Sequence, residues 1–149
     1  MLLAGYVWFP LCGVPEYARF GAYLAGLACI LGHLYPLYFG FRGGKGVMAT
    51  LGMMLVLDWR VALISLGVFI ILVLIFRMVS LGSIFAAATM AVTTFIMLKY
   101  VDGFPIGQVG FCTAIAVLIA AILIMKHSDN IKRILNGTER KLGQKKDNA

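Results

Sequence analysis

Long stretches without a charged residue are the feature that most restricts the folds open to this chain. Uncharged runs cover 20–41, 61–76, 78–98 and 103–125, and a helix needs roughly 20 apolar residues to cross the hydrocarbon core of a bilayer. Hydrophobic residues make up 62% of the chain and charged residues 13%, whereas soluble domains are about half apolar and a quarter charged. We therefore predict an all-α integral membrane protein with spans in these four runs.

Two further apolar pieces are too short for an ordinary span. Residues 46–57 would form about 18 Å of helix at 1.5 Å per residue. They cross only if the helix is tilted, the bilayer is thinned, or the turn at 40–46 lies below the headgroups. Residues 2–14 are best described as a transmembrane helix cut part-way, since no basic residue precedes them as in a signal peptide. The predicted architecture is a helical bundle of about five full transmembrane helices plus a partial N-terminal one.

The basic residues bear on orientation. If 46–57 crosses the membrane, Arg42, Lys45, Arg77 and the seven basic residues after position 125 share one side, ten in all, against three on the other. The positive-inside rule then assigns the richer side to the cytoplasm. If that piece does not cross, the split is nine to four, and charge alone does not decide. A basic cluster beside the last span is typical of a tail that binds anionic lipid, so we predict membrane lipid and not nucleic acid as its partner.

The positions of the polar residues favour the topology in which 46–57 crosses the membrane. It alone places a glycine-rich turn at 43–46, a junction at 77–83 and a polar segment at 127–130 on one face, where they could form a single site. We divide the chain into a transmembrane domain, 1–136, and a polar, basic cytoplasmic tail, 137–149. Three cysteines lie in apolar runs without CxxC spacing, so we predict no metal site, and nothing in the sequence calls for a cofactor.

The glycine-rich turn contains Gly43, Gly44, Lys45 and Gly46. Glycines allow a tight turn with consecutive N–H groups directed at an anion, and the lysine and the dipole of the following helix add positive charge. This pattern suits a phosphate. It is not a Walker A loop, because no Ser or Thr follows the lysine. A flexible membrane turn with a lipid-facing lysine explains the residues equally well.

The other two segments are weaker signals when taken alone. Arg77, Ser80 and Ser83 meet at a helix junction, where Ser80 could simply cap the next helix. His127 and Asn130 follow the last run at i, i+3 spacing, on one helical face. Histidine suits proton transfer near neutral pH, but a basic stop-transfer flank accounts for this segment as well.

Together, the segments GHLYP…FRGGKGV (32–47), RMVSLGSI (77–84) and KHSDNIKRILNGTE (126–139) resemble the bacterial acyl-phosphate glycerol-3-phosphate acyltransferases, the PlsY family. The resemblance implies a seven-helix protein of the bacterial inner membrane with its site on the cytoplasmic face. It further implies transfer of a fatty acyl group from acyl phosphate to the 1-hydroxyl of glycerol 3-phosphate, which yields lysophosphatidic acid. Acyl phosphate is an activated mixed anhydride, so alignment of the two substrates could supply much of the acceleration.

The resemblance also implies roles for the site residues. Substrate phosphate is expected to contact Lys45, Arg77 and the three glycines of the turn. Ser80 or Ser83 would contact a phosphate or carbonyl oxygen. His127 and Asn130 would orient the attacking hydroxyl, whose proton passes to His127 or to a substrate phosphate.

Three departures from the family stand beside these matches. The family's first motif, a loop rich in Ser, Gly and Asn after the first helix, is not found in this chain and is expected to precede Met1 in a complete protein. Met48 stands where alanine is common, and Ser128 where arginine is common, which removes one candidate phosphate contact. The alternative is a non-catalytic multi-pass fragment or a permease-like protein, in which the glycine turn is a hinge.

Overall fold

A computed structural model describes residues 18–41 and 43–144 of the chain. The described part is helical and contains no strand, which confirms the predicted fold class. Within the described residues there are six α-helices: α1 Ala18–Leu34, α2 Val47–Leu57, α3 Trp59–Phe76, α4 Val79–Ile96, α5 Ile106–Lys126 and α6 Ser128–Leu135. Helix α4 packs against both α3 and α5, and α1 packs against α5 and α2. The apolar piece at 2–14 lies outside the described residues.

Three of the described helices, α3, α4 with its C-terminal extension, and α5, are long and apolar enough to cross a membrane by length and composition. Helices α1 and α2 are apolar but shorter, with 17 and 11 residues. The five apolar helices therefore correspond to the five predicted from the sequence, although two of them are shorter than a full span.

The first of these helices ends earlier than the uncharged run 20–41 predicts. Helix α1 stops at Leu34, and the chain continues into a short 3-10 helix, Leu37–Phe39. Pro36 accounts for the end, because proline lacks an N–H and disfavours helical geometry in the residue before it. Gly40 then adopts a left-handed conformation with φ 59°, which turns the chain towards α2.

Helices α2 and α3 form an antiparallel hairpin about Asp58, whose backbone is extended. Val47 and Phe69 are each 11 positions from Asp58, and both line the same cavity. Seven residues of α3 continue past Phe69, or about 10 Å of helix. Helix α2, with 11 residues, is thus seven residues shorter than α3, and the way in which the short piece 46–57 is accommodated in a bilayer stays a prediction.

The opposite end of the bundle is held by an ion cluster. Arg60 Nη2 lies 2.8 Å from Asp58 Oδ2 and 2.8 Å from Asp102 Oδ2, and Asp58 also accepts a hydrogen bond from the Arg60 backbone N–H. The Arg60 guanidinium holds the pKa of Asp102 below its usual value. Through Arg60, the two aspartates thus tie the α2–α3 hairpin to the segment that precedes α5.

Candidate active site

The three polar segments meet at one end of the bundle. Lys45 Nζ donates to Asn130 Oδ1 across 85 positions of sequence. Asn130 Nδ2 donates to Ser80 Oγ at 2.6 Å and to Glu139 Oε1 at 2.8 Å, and Ser80 Oγ also donates to Glu139 Oε1. A single network therefore connects the turn, the start of α4 and helix α6, as the sequence analysis required for one site.

Asn130 is the centre of this network. Its side chain is buried, with 5% of the residue exposed, and both its amide oxygen and its amide nitrogen are engaged. The position follows from the chain: α6 begins directly after α5 and turns Asn130 inwards. A buried amide with satisfied partners is a rigid element. Asn130 is thus placed to hold Lys45 in position.

Glu139 completes the network, and the sequence interpretation assigned it no role. It is 7% exposed and forms an ion pair with Arg133, with 2.8 Å between Nε and Oε2. Burial opposes ionisation of this carboxyl, but hydrogen bonds from Ser80, Asn130 and Arg133 outweigh it and lower its pKa to about 2. The sequence offered one signal that Glu139 could have a specific role: it is the single acidic residue between Asp129 and Asp147.

Glu139 belongs to the segment 137–149, which the sequence predicts to be a polar, basic cytoplasmic tail. Part of that segment packs on the bundle, because the Leu142 N–H donates to the Arg77 carbonyl oxygen at 2.7 Å. Residues 145–149 lie outside the described part of the chain. The boundary at 136 remains a prediction.

His127 lies between α5 and α6 and is 3% exposed. Its Nδ1 is 2.8 Å from the Leu123 carbonyl oxygen, so Nδ1–H donates to that oxygen in the neutral ring and Nε2 carries the lone pair. Burial lowers the pKa of His127, and the charge of Lys45 lowers it further, against the opposing effects of the Leu123 hydrogen bond and of Glu139. The ring is therefore neutral at pH 7 and can accept a proton at Nε2.

The turn is built by close approach of backbone. A Cβ atom on Gly43 would lie 2.1 Å from the His33 carbonyl oxygen, and one on Gly44 would lie 2.9 Å from His33 Nε2. Gly46 has φ 81°, which favours glycine. The Gly43 N–H donates to the Leu34 carbonyl oxygen at 3.2 Å. Gly43 therefore anchors the turn, and its N–H is already used instead of pointing at an anion.

The N-terminus of α2 supplies donors in its place. Gly46 is the N-cap residue, and no side chain caps the helix. The first amides of a helix have no intrahelical acceptor and carry partial positive charge. Lys45, whose residue is exposed, stands immediately before them. An anion bound here would meet a full charge and a row of N–H groups together.

Like His127, two further predicted site residues, Ser83 and Arg77, make no side-chain hydrogen bond to the network. Ser83 Oγ donates to the Val79 carbonyl oxygen of its own helix at 3.0 Å, and Ser83 lines a cavity. Arg77 ends α3 with a left-handed backbone, φ 58°, and is exposed. The sequence did not choose between the two serines. In the structure Ser80 contacts Asn130 and is linked through it to Lys45, whereas Ser83 is not.

Comparison with known proteins identifies the family of this chain. The family described as glycerol-3-phosphate acyltransferase matches residues 1–137. A glycerol-3-phosphate acyltransferase of Clostridioides difficile strain 630 is 42% identical over 125 residues, which cover 84% of this chain and 56% of that protein. One of Shouchella clausii is 42% identical over 123 residues, 82% of this chain and 57% of that protein. The chain thus spans about half the length of these curated relatives.

Two solved structures share the fold. The crystal structure of PlsY (YgiH), an integral membrane glycerol 3-phosphate acyltransferase, in its glycerol 3-phosphate form is 35% identical with a TM-score of 0.73, covering 93% of this chain and 66% of that one. The lysophosphatidic acid form is 31% identical with a TM-score of 0.68, covering 91% and 76%. The family match over residues 1–137 and the two solved structures agree, and the chain belongs to the glycerol-3-phosphate acyltransferase family.

Proposed function

We propose that this membrane protein provides a site for transfer of a fatty acyl group from acyl phosphate to the 1-hydroxyl of glycerol 3-phosphate, with lysophosphatidic acid as product. The site would face the cytoplasm of a bacterial inner membrane, where the water-soluble acceptor is present. The observation that carries the proposal is the hydrogen-bond network that joins Lys45, Asn130, Ser80 and Glu139 beside an uncapped helix N-terminus.

Both substrates carry phosphate, and the site supplies matching groups. Lys45 and the first amides of α2 would bind phosphate oxygens and offset their charge. Glu139 is itself anionic, but Arg133 pairs with it, so the carboxylate does not oppose phosphate binding with an uncompensated charge. The glycine-rich turn, 43–46, would be accessible to glycerol 3-phosphate from water while the acyl chain stays in the apolar layer.

The chemical step needs alignment and one proton acceptor. The 1-hydroxyl oxygen attacks the acyl carbonyl carbon, the bond from that carbon to the phosphate oxygen breaks, and inorganic phosphate leaves with the bonding electrons. The hydroxyl proton passes to His127 Nε2 or to a substrate phosphate. Asn130 would act as a positioning residue for Lys45, since its amide groups are already engaged.

Product formation by the purified chain tests the proposal. We expect saturable binding of radiolabelled glycerol 3-phosphate, competed by inorganic phosphate, and labelled lysophosphatidic acid when palmitoyl phosphate is added but not when palmitoyl-CoA is added. Binding without product would contradict acyl transfer by this chain while leaving the phosphate site in place. Absence of saturable binding would contradict both.

The buried histidine predicts an acid limit for the reaction. Because burial lowers the pKa of His127 below its ordinary value of 6.5, the neutral ring persists to lower pH than a free imidazole. We expect kcat/KM to be level at neutral pH and to fall only below pH 6.5, as the folded-state pKa is approached. A kcat/KM profile from pH 5 to 8 measures this. If kcat/KM instead falls with a midpoint above pH 6.5, and this fall is absent in His127→Gln, then the pKa of His127 is raised and not lowered.

The close approach at Gly43 predicts that a single methyl group disrupts the turn. In Gly43→Ala the added Cβ meets backbone oxygens of His33 and Leu34 at 2.1 and 2.6 Å, so the turn must shift and carry Lys45 with it. We expect an affinity for glycerol 3-phosphate about tenfold lower, measured by titration calorimetry. Gly52→Ala is the matched control, because nothing lies within 4 Å of a Cβ there. Equal affinities in the two variants would contradict the role of Gly43.

A further inference from the structure

A cavity of about 90 Å³ lies between α2, α3 and α4. Its lining begins at Val47 and Ser83, near the glycine-rich turn, and reaches Met54 and Met90 deeper in the bundle. From Val47 to Met54 is seven residues, or about 10 Å of helix. The cavity therefore runs from the proposed reaction centre into the apolar interior.

Two hydroxyl groups of this cavity have no hydrogen-bond partner. Thr50 Oγ1 and Ser65 Oγ are buried side-chain atoms without a donor or acceptor in reach. Their residues are 5% and 8% exposed, and both line the cavity. Most buried hydroxyls in proteins are paired, and an unpaired one costs about 1–3 kcal/mol. Two such groups beside one cavity call for a specific explanation.

The two hydroxyls lie at similar separations along the chain from Asp58. Thr50 is eight positions before Asp58 and Ser65 is seven after it, on the two arms of an antiparallel hairpin. Each is therefore about 10–12 Å from the hairpin turn. Thr50 is three residues, or about 4.5 Å, from Val47 at the start of α2. Because both residues line the same cavity, a polar atom of a ligand placed between them can pair with both hydroxyls.

One water molecule could pair with these hydroxyls, but it would fill only a small part of a cavity of about 90 Å³. Apart from Thr50, Ser65 and Ser83, the lining residues are aliphatic, aromatic or methionine. The Ser83 hydroxyl donates to the Val79 carbonyl oxygen, so it can only accept a further hydrogen bond. A ligand that brings its own hydroxyl on an aliphatic chain satisfies the apolar wall and the two hydroxyls together.

We propose that this cavity binds an acyl chain that carries a hydroxyl group near its carboxyl end, with Thr50 and Ser65 as the residues that recognise the hydroxyl. The identification of the ligand as an acyl phosphate rests on the proposed function. With the phosphate at Lys45, the first carbons of the chain pass Val47, and a hydroxyl about one helical turn further on meets Thr50 and Ser65. Ordinary acyl chains would fit the apolar wall but leave both hydroxyls unpaired.

Binding of non-reactive analogues tests the inference apart from catalysis. The probes are dodecyl phosphate, 3-hydroxydodecyl phosphate and 12-hydroxydodecyl phosphate, with dodecan-1-ol and dodecane-1,3-diol as the pair without phosphate. Each is titrated at matched mole fraction in detergent, and an apparent Kd is taken from the rise in the thermal unfolding midpoint. We expect the 3-hydroxy phosphate to bind about two- to tenfold more tightly than the other two phosphates.

The variant Thr50→Val/Ser65→Ala should abolish that preference and bind dodecyl phosphate at least as well as the wild type. It should also fold at least as well, because replacing an unpaired buried hydroxyl by an apolar group removes a cost. Thr113→Val is the matched control, since Thr113 Oγ1 is also buried without a partner but does not line the cavity. It should keep the preference.

The outcomes separate the two proposals. An equal Kd for the 3-hydroxy and plain phosphates, or a preference retained in the double variant, overturns the inference. The diol should show the same preference over dodecan-1-ol, and if neither alcohol nor any phosphate binds saturably, the inference is also overturned. If the hydroxyl preference holds but Lys45→Ala does not weaken the phosphates relative to the alcohols, the hydroxyl site stands and the phosphate site of the proposed function fails.

Discussion

Asn130→Leu is expected to lower kcat/KM for acyl transfer by about 100- to 1,000-fold, the largest effect of any single substitution in the site. Leucine has a similar size but makes none of the three hydrogen bonds of the amide. Lys45 loses its anchor, and the buried Glu139 keeps only Ser80 and Arg133 as partners. The measurement is steady-state formation of lysophosphatidic acid, with circular dichroism as the check on folding.

Asn136→Leu is the control for this substitution, because Asn136 follows the end of α6 and is exposed. We expect it to retain wild-type kinetics. Asn130→Asp keeps an oxygen for Lys45 but places a second carboxylate beside Glu139, so it should be intermediate or worse in activity and less stable. Wild-type kcat/KM in a folded Asn130→Leu protein would show that the network does not position the site.

Lys45→Met is expected to weaken glycerol 3-phosphate binding by about 10- to 100-fold, the loss of one charge-assisted hydrogen bond. Methionine keeps the aliphatic length of the side chain and removes the charge. Lys132→Met is the matched control, since Lys132 is exposed on α6. Calorimetric titration at several salt concentrations is the measurement.

Salt dependence distinguishes a direct role of the Lys45 charge from a structural one. Screening weakens attraction between exposed charges, so the wild-type Kd should rise with ionic strength and that of Lys45→Met should rise less. If both proteins bind glycerol 3-phosphate equally well, Lys45 is not a phosphate ligand. If only the absolute Kd changes and both salt slopes are equal, the lysine acts by holding the turn.

The network explains how a carboxylate can belong to a site for anionic substrates. Glu139 is ionised because Ser80, Asn130 and Arg133 stabilise its charge, and it in turn fixes the Asn130 amide that binds Lys45. In the proposed reaction the carboxylate would therefore act on the substrate only indirectly, through the placement of a cation. This arrangement also makes the segment after α6 part of the site, although its composition is that of a solvated tail.

The lengths of α2 and α3 bear on where the proposed reaction would take place. Helix α2 has 11 residues and α3 has 18, a difference of about 10 Å of helix. A phosphate held at the start of this short apolar helix would be close to the apolar layer in which an acyl chain lies.

By itself, the sequence determined the class of the protein and the segments that matter. Uncharged runs indicated membrane helices, because a bilayer leaves few alternatives for backbone hydrogen bonding. The glycine-rich turn, the junction at 77–83 and the segment at 127–130 were identified because each carries polar groups at the end of an apolar run. Their occurrence at helix ends also predicted that they could meet.

Tertiary structure decided which of those groups meet. Only the folded chain distinguishes Ser80 from Ser83, brings Glu139 into the site, and uses the Gly43 N–H for the Leu34 carbonyl. The decisive hydrogen bonds join residues 85 and 50 positions apart. Local pattern cannot specify such pairs, because helix length and packing angle set which side chains coincide. The placement of Thr50 and Ser65 beside one cavity has the same cause, because it depends on how α2 and α3 pack on either side of Asp58.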